Sequence, residues 1–250
     1  MSELSWAWNL CGESVAPESC FGKKGVFTTF GMIGNDTSAY EIHRNRLLSD
    51  AQKLGIQVLD FRVLNSHLKY CLRNCRRILP YKKRIRISLT ESSIQIDISR
   101  FIKRPRRVWA RIEPYSRRPY AVKSLDYLEL LKMQRRDGPY WETLLLDPDF
   151  GLAEGRSTNL IFGSGDLVLV PEVGFLPGLG LKRALDVLGN CVVRQKLTLD
   201  DLLHCKEIVC LNHLQGPMQI IAIPDYNWQS SSSQIYNRLR RLLGTDFSWW

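Results

Sequence analysis

Between Val122 and Phe162 the chain changes element type several times in quick succession, and this stretch restricts the fold more than any other. Val122-Lys123-Ser124-Leu125-Asp126-Tyr127-Leu128 runs into helical apolar spacing, which predicts a helix opened by Lys123 and ending near Arg136. Asp137-Gly138-Pro139 then predicts a turn. Thr143-Leu144-Leu145-Leu146-Asp147 reads as an apolar strand, followed by a second turn through Pro148, Asp149 and Gly151. Leu152-Ala153-Glu154-Gly155-Arg156-Ser157-Thr158-Asn159-Leu160-Ile161-Phe162 carries a glutamate on a strand beside small polar residues. A helix followed by apolar strands belongs to a mixed α/β (α+β) chain.

The remaining segments agree with that class. Ser5 to Asn9 and Val26 to Phe30 read as strands, with Gly34-Asn35-Asp36 as a turn and Thr37 to Tyr40 as a short strand. Glu41 to Leu54 has helical periodicity and stops at Gly55, and a second helix runs from about Asp60 to Ile78, before Pro80. Arg84-Ile85-Arg86-Ile87-Ser88-Leu89 and Ile94-Gln95-Ile96-Asp97-Ile98 alternate strictly, as the two strands of a half-buried hairpin do. Val108 to Ile112 and Leu167 to Val170 read as further strands, Leu181 to Leu188 and Leu199 to His204 as helices, Glu207 to Asn212 as a strand, and Ile235 to Leu243 as a last amphipathic helix. The expected division is a small α/β domain over 1–105, a basic crossover over 106–119 and a larger α/β domain over 120–250.

Composition narrows the function classes. Hydrophobic content of 44% and charged content of 24% over 250 residues describe a chain that buries a sizeable core. No apolar run reaches the ~18 residues of a membrane-spanning helix, and the N-terminus lacks the basic and apolar regions of a secretory signal. Seven cysteines without regular spacing suit reduced thiols in a cytoplasm. Cys71 and Cys75 share a helix face but have no partner pair at metal-ligand spacing. The net charge of +10 is concentrated in Arg100, Lys103, Arg104, Arg106, Arg107, Arg111, Arg117 and Arg118. Such charge can bind nucleic acid, yet no RNP, helix-turn-helix or zinc-finger pattern accompanies it. A basic linker, or a funnel for a small anionic substrate, accounts for it as well.

A lysine and a distant buried carboxylate suit pyridoxal phosphate. The amine can hold the aldehyde as a Schiff base, and the carboxylate can keep the pyridine nitrogen protonated. Here the order Lys123, Glu154, Asn159-Leu160-Ile161-Phe162 resembles the class IV (fold type IV) pyridoxal-phosphate enzymes: branched-chain aminotransferases, D-amino-acid aminotransferases and aminodeoxychorismate lyases. The likeness runs from about Gly25 to Ile223. It implies a two-domain architecture like that of D-amino-acid aminotransferase, with the active site between domains, and a homodimer.

Further matches carry residue roles. His43-Arg44-Asn45-Arg46-Leu47 is similar to the family's His-x-x-Arg-Leu, which assigns the cofactor phosphate to Arg46. Phe175-Leu176-Pro177-Gly178-Leu179-Gly180 resembles the loop whose amides cradle that phosphate, by the main chain of Leu179 and Gly180. The strand Glu207 to Asn212 resembles the family's strand ending in Asn, which implies that its following loop, His213-Leu214-Gln215-Gly216-Pro217, sits near the phosphate, while His213 reads as structural. Gly25-Val26-Phe27-Thr28-Thr29 resembles the lyase form of a strand in which a threonine, here Thr29, is the acid/base hydroxyl. The resemblance therefore implies a lyase converting 4-amino-4-deoxychorismate to 4-aminobenzoate and pyruvate, in folate biosynthesis. An aminotransferase of D- or branched-chain amino acids stands second, and a basic binding domain without catalysis third. Two departures affect substrate contacts. Lys24 stands where an Asp is expected, and Leu89-Thr90-Glu91-Ser92 lacks the arginine of the family's substrate loop.

Overall fold

The computed structural model describes residues 3–34, 36, 38–57, 60–75, 82–136 and 142–243, with side chains 134–136 excepted. The chain forms two compact units. The first comprises the chain up to Ile102 together with Val122–Leu128; the second takes up Lys103–Ala121 and the chain from Glu129 onward.

In the first unit, β1 (Glu3–Asn9), β2 (Ser14–Val15) and β3 (Gly25–Ile33) precede α1 (Ser38–Lys53) and α2 (Phe61–Cys75), and β4 (Lys82–Thr90) and β5 (Ser93–Arg100) follow. The strands form an antiparallel sheet in the order β2-β1-β5-β4-β3. The strict alternation of the hairpin sorts its side chains. Ile85 lies opposite Ile98 and Ile87 opposite Ile96, and all four are fully buried. This apolar face meets α1 and α2, whose Leu47, Ala51, Leu64 and Leu68 are buried. Each buried isoleucine or leucine here contributes about 1.5–3 kcal/mol when it leaves water. The other face carries Thr29, Arg86, Asp97 and Ser5 in one cross-strand row.

Two expectations fail here. The chain at Ser38–Tyr40 is helical, not a strand, because the period of Tyr40, His43, Leu47 and Ala51 extends back through it, and Asp36 Oδ1 accepts Ser38 N at 2.8 Å; Thr37 lies outside the described residues. Lys123 does not open a helix. Phe27 N donates to Lys123 O at 3.0 Å and Leu125 N to Gly25 O at 2.8 Å, so the segment is extended along β3. β3 is an edge strand whose unpaired main-chain groups capture the passing chain. The helix, α3 (Leu128–Arg136), starts only beyond this bridge.

The second unit contains β6 (Arg107–Pro114), β7 (Glu142–Asp147), β8 (Gly151–Gly155), β9 (Asn159–Ser164), β10 (Leu167–Pro171), α4 (Leu179–Leu188), β11 (Val192–Gln195), α5 (Leu199–His204), β12 (Glu207–Asn212), β13 (Gly216–Ile223), β14 (Trp228–Gln229) and α6 (Gln234–Leu243). Its sheet runs β11-β10-β9-β12-β13-β6-β7-β8, with β14 on β13. The basic crossover is thus a strand, β6, held parallel to both β13 and β7. The sheet curls: Leu152 N of β8 donates to Leu197 O just beyond β11, at 2.8 Å. Gly151 permits this approach, since it has φ +74° and a Cβ there would stand 2.1 Å from Leu197 O.

Period-two alternation divides the strands between two cores. Leu160, Phe162, Ile208 and Cys210 face one with Leu144, Leu152, Ile220 and Trp228. Ile161, Val209 and Leu211 face the other, against Leu181 and Leu188 of α4 and Tyr236 and Leu239 of α6.

Candidate functional site

Within the first unit, the bridge to β3 fixes Lys123. Its main-chain N donates to Asp50 Oδ2 of α1 at 3.2 Å, and its Nζ lies 4.7 Å from the ring centre of Phe27. Side chains alternate along β3, so Thr29 shares the face of Phe27, while Thr28 points to the helices. Thr28 Oγ1 is 2.7 Å from His43 Nδ1 and accepts Arg46 Nη2 at 2.9 Å. Arg46 Nε is buried with no hydrogen-bond partner among the described residues. Burial lowers the pKa of this guanidinium from its ordinary value, against the opposing charge of Asp50. Asp50, 3% exposed, therefore acts on both Lys123 and Arg46. It is a neighbour of both candidates that the sequence reading missed; its position one helical turn after Arg46 was the available signal.

Within the second unit, Glu154 is buried on β8, and Arg117 Nε forms an ion pair with its Oε1. Glu154 Oε2 accepts Leu176 N at 3.1 Å, and Leu176 O accepts Asn159 Nδ2 at 2.7 Å. The asparagine of the strand motif thus holds the loop leading into α4. Gly178 caps α4 without a side-chain hydrogen bond, so the first-turn amides keep their donors and the positive end of the helix dipole. Gly180 lies against the end of β12, where a Cβ would come 2.9 Å from His213 N and 3.0 Å from Asn212 C. Asn212 shapes that turn: its Oδ1 accepts Leu214 N at 3.0 Å and Gln215 N at 2.7 Å, and its Nδ2 donates to Ser157 O at 3.1 Å.

The sequence candidates accordingly fall into two groups. Lys123, Thr29 and Arg46 belong to the first unit, with Arg46 under the helix-facing side of β3 and Thr29 on the opposite side; Glu154, Leu179, Gly180 and Asn212 belong to the second. Lys123 lies in the first unit although the expected domain boundary put it in the later one.

Much of the basic stretch is engaged internally. Besides the Arg117–Glu154 pair, Arg118 Nη1 binds Asp147 Oδ2 at 2.9 Å and Arg104 Nη1 donates to Ser157 Oγ at 3.1 Å. The two sequence departures also meet, because Lys24 Nζ binds Glu91 Oε1 at 2.6 Å in an exposed pair.

A family profile described as amino-transferase class IV matches residues 25–223. The chain belongs to the class IV aminotransferase family. Solved structures share the fold of this family member at low identity. A Legionella pneumophila protein, provisionally assigned as a 4-amino-4-deoxychorismate lyase, is 21% identical with a TM-score of 0.78, covering 92% of this chain and 96% of its own. The branched-chain amino acid aminotransferase of Escherichia coli is 16% identical with a TM-score of 0.78, covering 98% and 95%. A hypothetical aminotransferase from Mycobacterium tuberculosis in its PLP-bound form is 14% identical with a TM-score of 0.75, covering 98% and 100%. No protein of curated function matches the chain in sequence. No helix among the described residues is long and apolar enough to cross a membrane, and no cluster of potential metal ligands occurs among them.

Proposed function

We propose that this class IV family member is a pyridoxal-phosphate lyase that converts 4-amino-4-deoxychorismate to 4-aminobenzoate and pyruvate. The residues present fit the cofactor. The buried Nε of Arg46 lacks a partner that a phosphate oxygen can supply, and in the second unit the uncapped first turn of α4, closed by Gly180 against Asn212, is also chemically suited to a phosphate. The buried Glu154 carboxylate suits a pyridinium nitrogen. When bound, pyridoxal phosphate supplies an electron sink for a carbon that bears the substrate amine.

The protein's side chains do the rest. Lys123 anchors the cofactor, and its amine, once free, removes the proton from the amine-bearing carbon. Arg117 pairs with Glu154 and fixes the direction of its carboxylate. Thr29 Oγ1 donates a proton to the ether oxygen of the enol-pyruvyl group as its carbon–oxygen bond breaks, and the proton taken up by Lys123 restores the hydroxyl. The ring becomes aromatic and the enol leaves as pyruvate.

The observation that carries the lyase reading is the register of β3. Thr29 lies on the face of Phe27, the ring on which the Lys123 amine rests, so one face offers both a base and a hydroxyl. Amino transfer expels no oxygen and has no use for that hydroxyl. The likeness to the branched-chain aminotransferase, equal in TM-score, favours amino transfer as the second reading.

Thr29→Val keeps the β-branched shape and removes the donor. Loss of a general acid costs about a hundredfold to ten-thousandfold, so 4-aminobenzoate formation is expected to fall at least tenfold with cofactor absorbance unchanged. A valine variant working at the parent rate removes Thr29 from the reaction. A parent that makes no 4-aminobenzoate but transaminates an amino acid with 2-oxoglutarate assigns the chain to the second reading.

A further inference from the structure

The polar sheet face of the first unit carries a charged group with no part in the reaction above. Arg86 lies in mid-strand on β4 and is 6% exposed. Its guanidinium carbon lies 4.2 Å from the ring centre of Phe21, 4.3 Å from that of Phe27 and 5.6 Å from that of Tyr127. Its Nε donates to Ser88 Oγ at 3.3 Å, whereas its Nη2 is buried with no hydrogen-bond partner among the described residues. Asp97, opposite Arg86 on β5, does not pair with it; that carboxylate accepts Ser5 Oγ at 2.6 Å and Gln95 Nε2 at 2.9 Å.

A buried charge with an unmade hydrogen bond is costly, and ring quadrupoles offset only part of that cost. Such a guanidinium is matched when a ligand brings a carboxylate to the free end of its fork. The placement suits the amine substrate. Thr29 is the cross-strand partner of Arg86, and Phe27, its neighbour on the same face, carries the Lys123 amine.

We propose that Arg86 anchors the carboxylate on the ring of the substrate, end-on through its terminal nitrogens, a reading that rests on the lyase function above. The strand then supplies the cation that the turn at Leu89-Thr90-Glu91-Ser92 lacks. The aromatic cluster of Phe21, Phe27 and Tyr127 gives the same place an affinity for a flat ring.

The test is calorimetric titration of the full-length, cofactor-loaded protein with 4-aminobenzoate and with its neutral counterpart 4-aminobenzamide. A charge-assisted contact corresponds to about tenfold to a hundredfold in affinity, so the parent is expected to prefer the carboxylate at least tenfold. Arg86→Met removes that preference and leaves amide affinity within about threefold, the range of a small packing change. Arg86→Lys keeps the charge without the fork, and the preference falls to an intermediate value.

A parent that binds both probes equally, or binds neither, overturns the proposal, and so does a folded Arg86→Met protein with the parent's preference. If the methionine variant does not fold, the parent's preference and the lysine variant decide. A purely bracing role for Arg86 shifts the melting temperature of the variants while leaving the preference intact. The cofactor reading fails separately, by absence of cofactor absorbance, and the titrations on the cofactor-free chain then still decide the role of Arg86.

Discussion

At the scale of single residues, each group of candidates pairs a side chain suited to chemistry with one that holds it in place. Lys123 is fixed through its main chain, by the bridge to β3 and by Asp50, so Lys123→Ala is expected to abolish cofactor absorbance and turnover with little change in melting temperature. A variant that keeps either the absorbance or near-parent turnover contradicts the assignment. Arg46→Ala is expected to raise the cofactor dissociation constant about tenfold to a hundredfold, the worth of a charge-assisted phosphate contact, and an unchanged constant would exclude it from the phosphate site. The Arg117–Glu154 pair is different in kind, because both side chains are largely buried, 13% and 4% exposed. Removing one partner of a buried pair strands the other and costs about 3–5 kcal/mol. Urea unfolding of Arg117→Leu is expected to show that loss; less than about 1 kcal/mol would mark the pair as solvent-screened.

At the scale of elements, the strands and helices read from alternation and period are present because local pattern and burial agree. The Ile-rich hairpin and the helix at Leu181–Leu188 are cases in point. Where the reading failed, a non-local contact decided. The chain around Lys123 has a helical pattern but is held extended by β3, which lies far away in sequence. β13 was missed because Gly216 and Pro217 read as loop, although the strand pairs with β12 and β6. The lysine, arginine and glutamate proposed for the site were legible as a motif. Asp50 could be placed one turn from Arg46, but its bond to the Lys123 amide and the Arg117–Glu154 pair were not legible, since both depend on packing. The β7–β8 turn offers a pH test. Asp147 Oδ1 accepts Asp149 N at 2.9 Å and Phe150 N at 3.1 Å. Burial works to raise its carboxyl, but the hydrogen bonds from Arg118, Ser116 and these amides outweigh it and hold the pKa below the ordinary 3.8. A lowered folded-state value means stability that is present above the ordinary value and lost as pH falls through the folded one. Asp147→Asn is expected to lessen the acid-side loss of stability in thermal melts at descending pH; an identical profile would contradict the contribution.

At the scale of the whole molecule, the residues proposed for the reaction fall in two separately packed units. The first contains Lys123, Thr29 and Arg46, and the second contains Glu154 and the N-terminus of α4. Their membership was only partly legible, because Val122–Leu128 joins the earlier unit by strand pairing and no local composition marks that return. Family membership was legible from the order of motifs alone, and the profile match over residues 25–223 agrees. The most direct measurement is turnover by the purified, cofactor-loaded chain, given 4-amino-4-deoxychorismate in one reaction and D- or branched-chain amino acids with 2-oxoglutarate in others. The account predicts 4-aminobenzoate and pyruvate in equal amounts from the first, with little amino transfer in the rest. Brisk amino transfer without 4-aminobenzoate would contradict it.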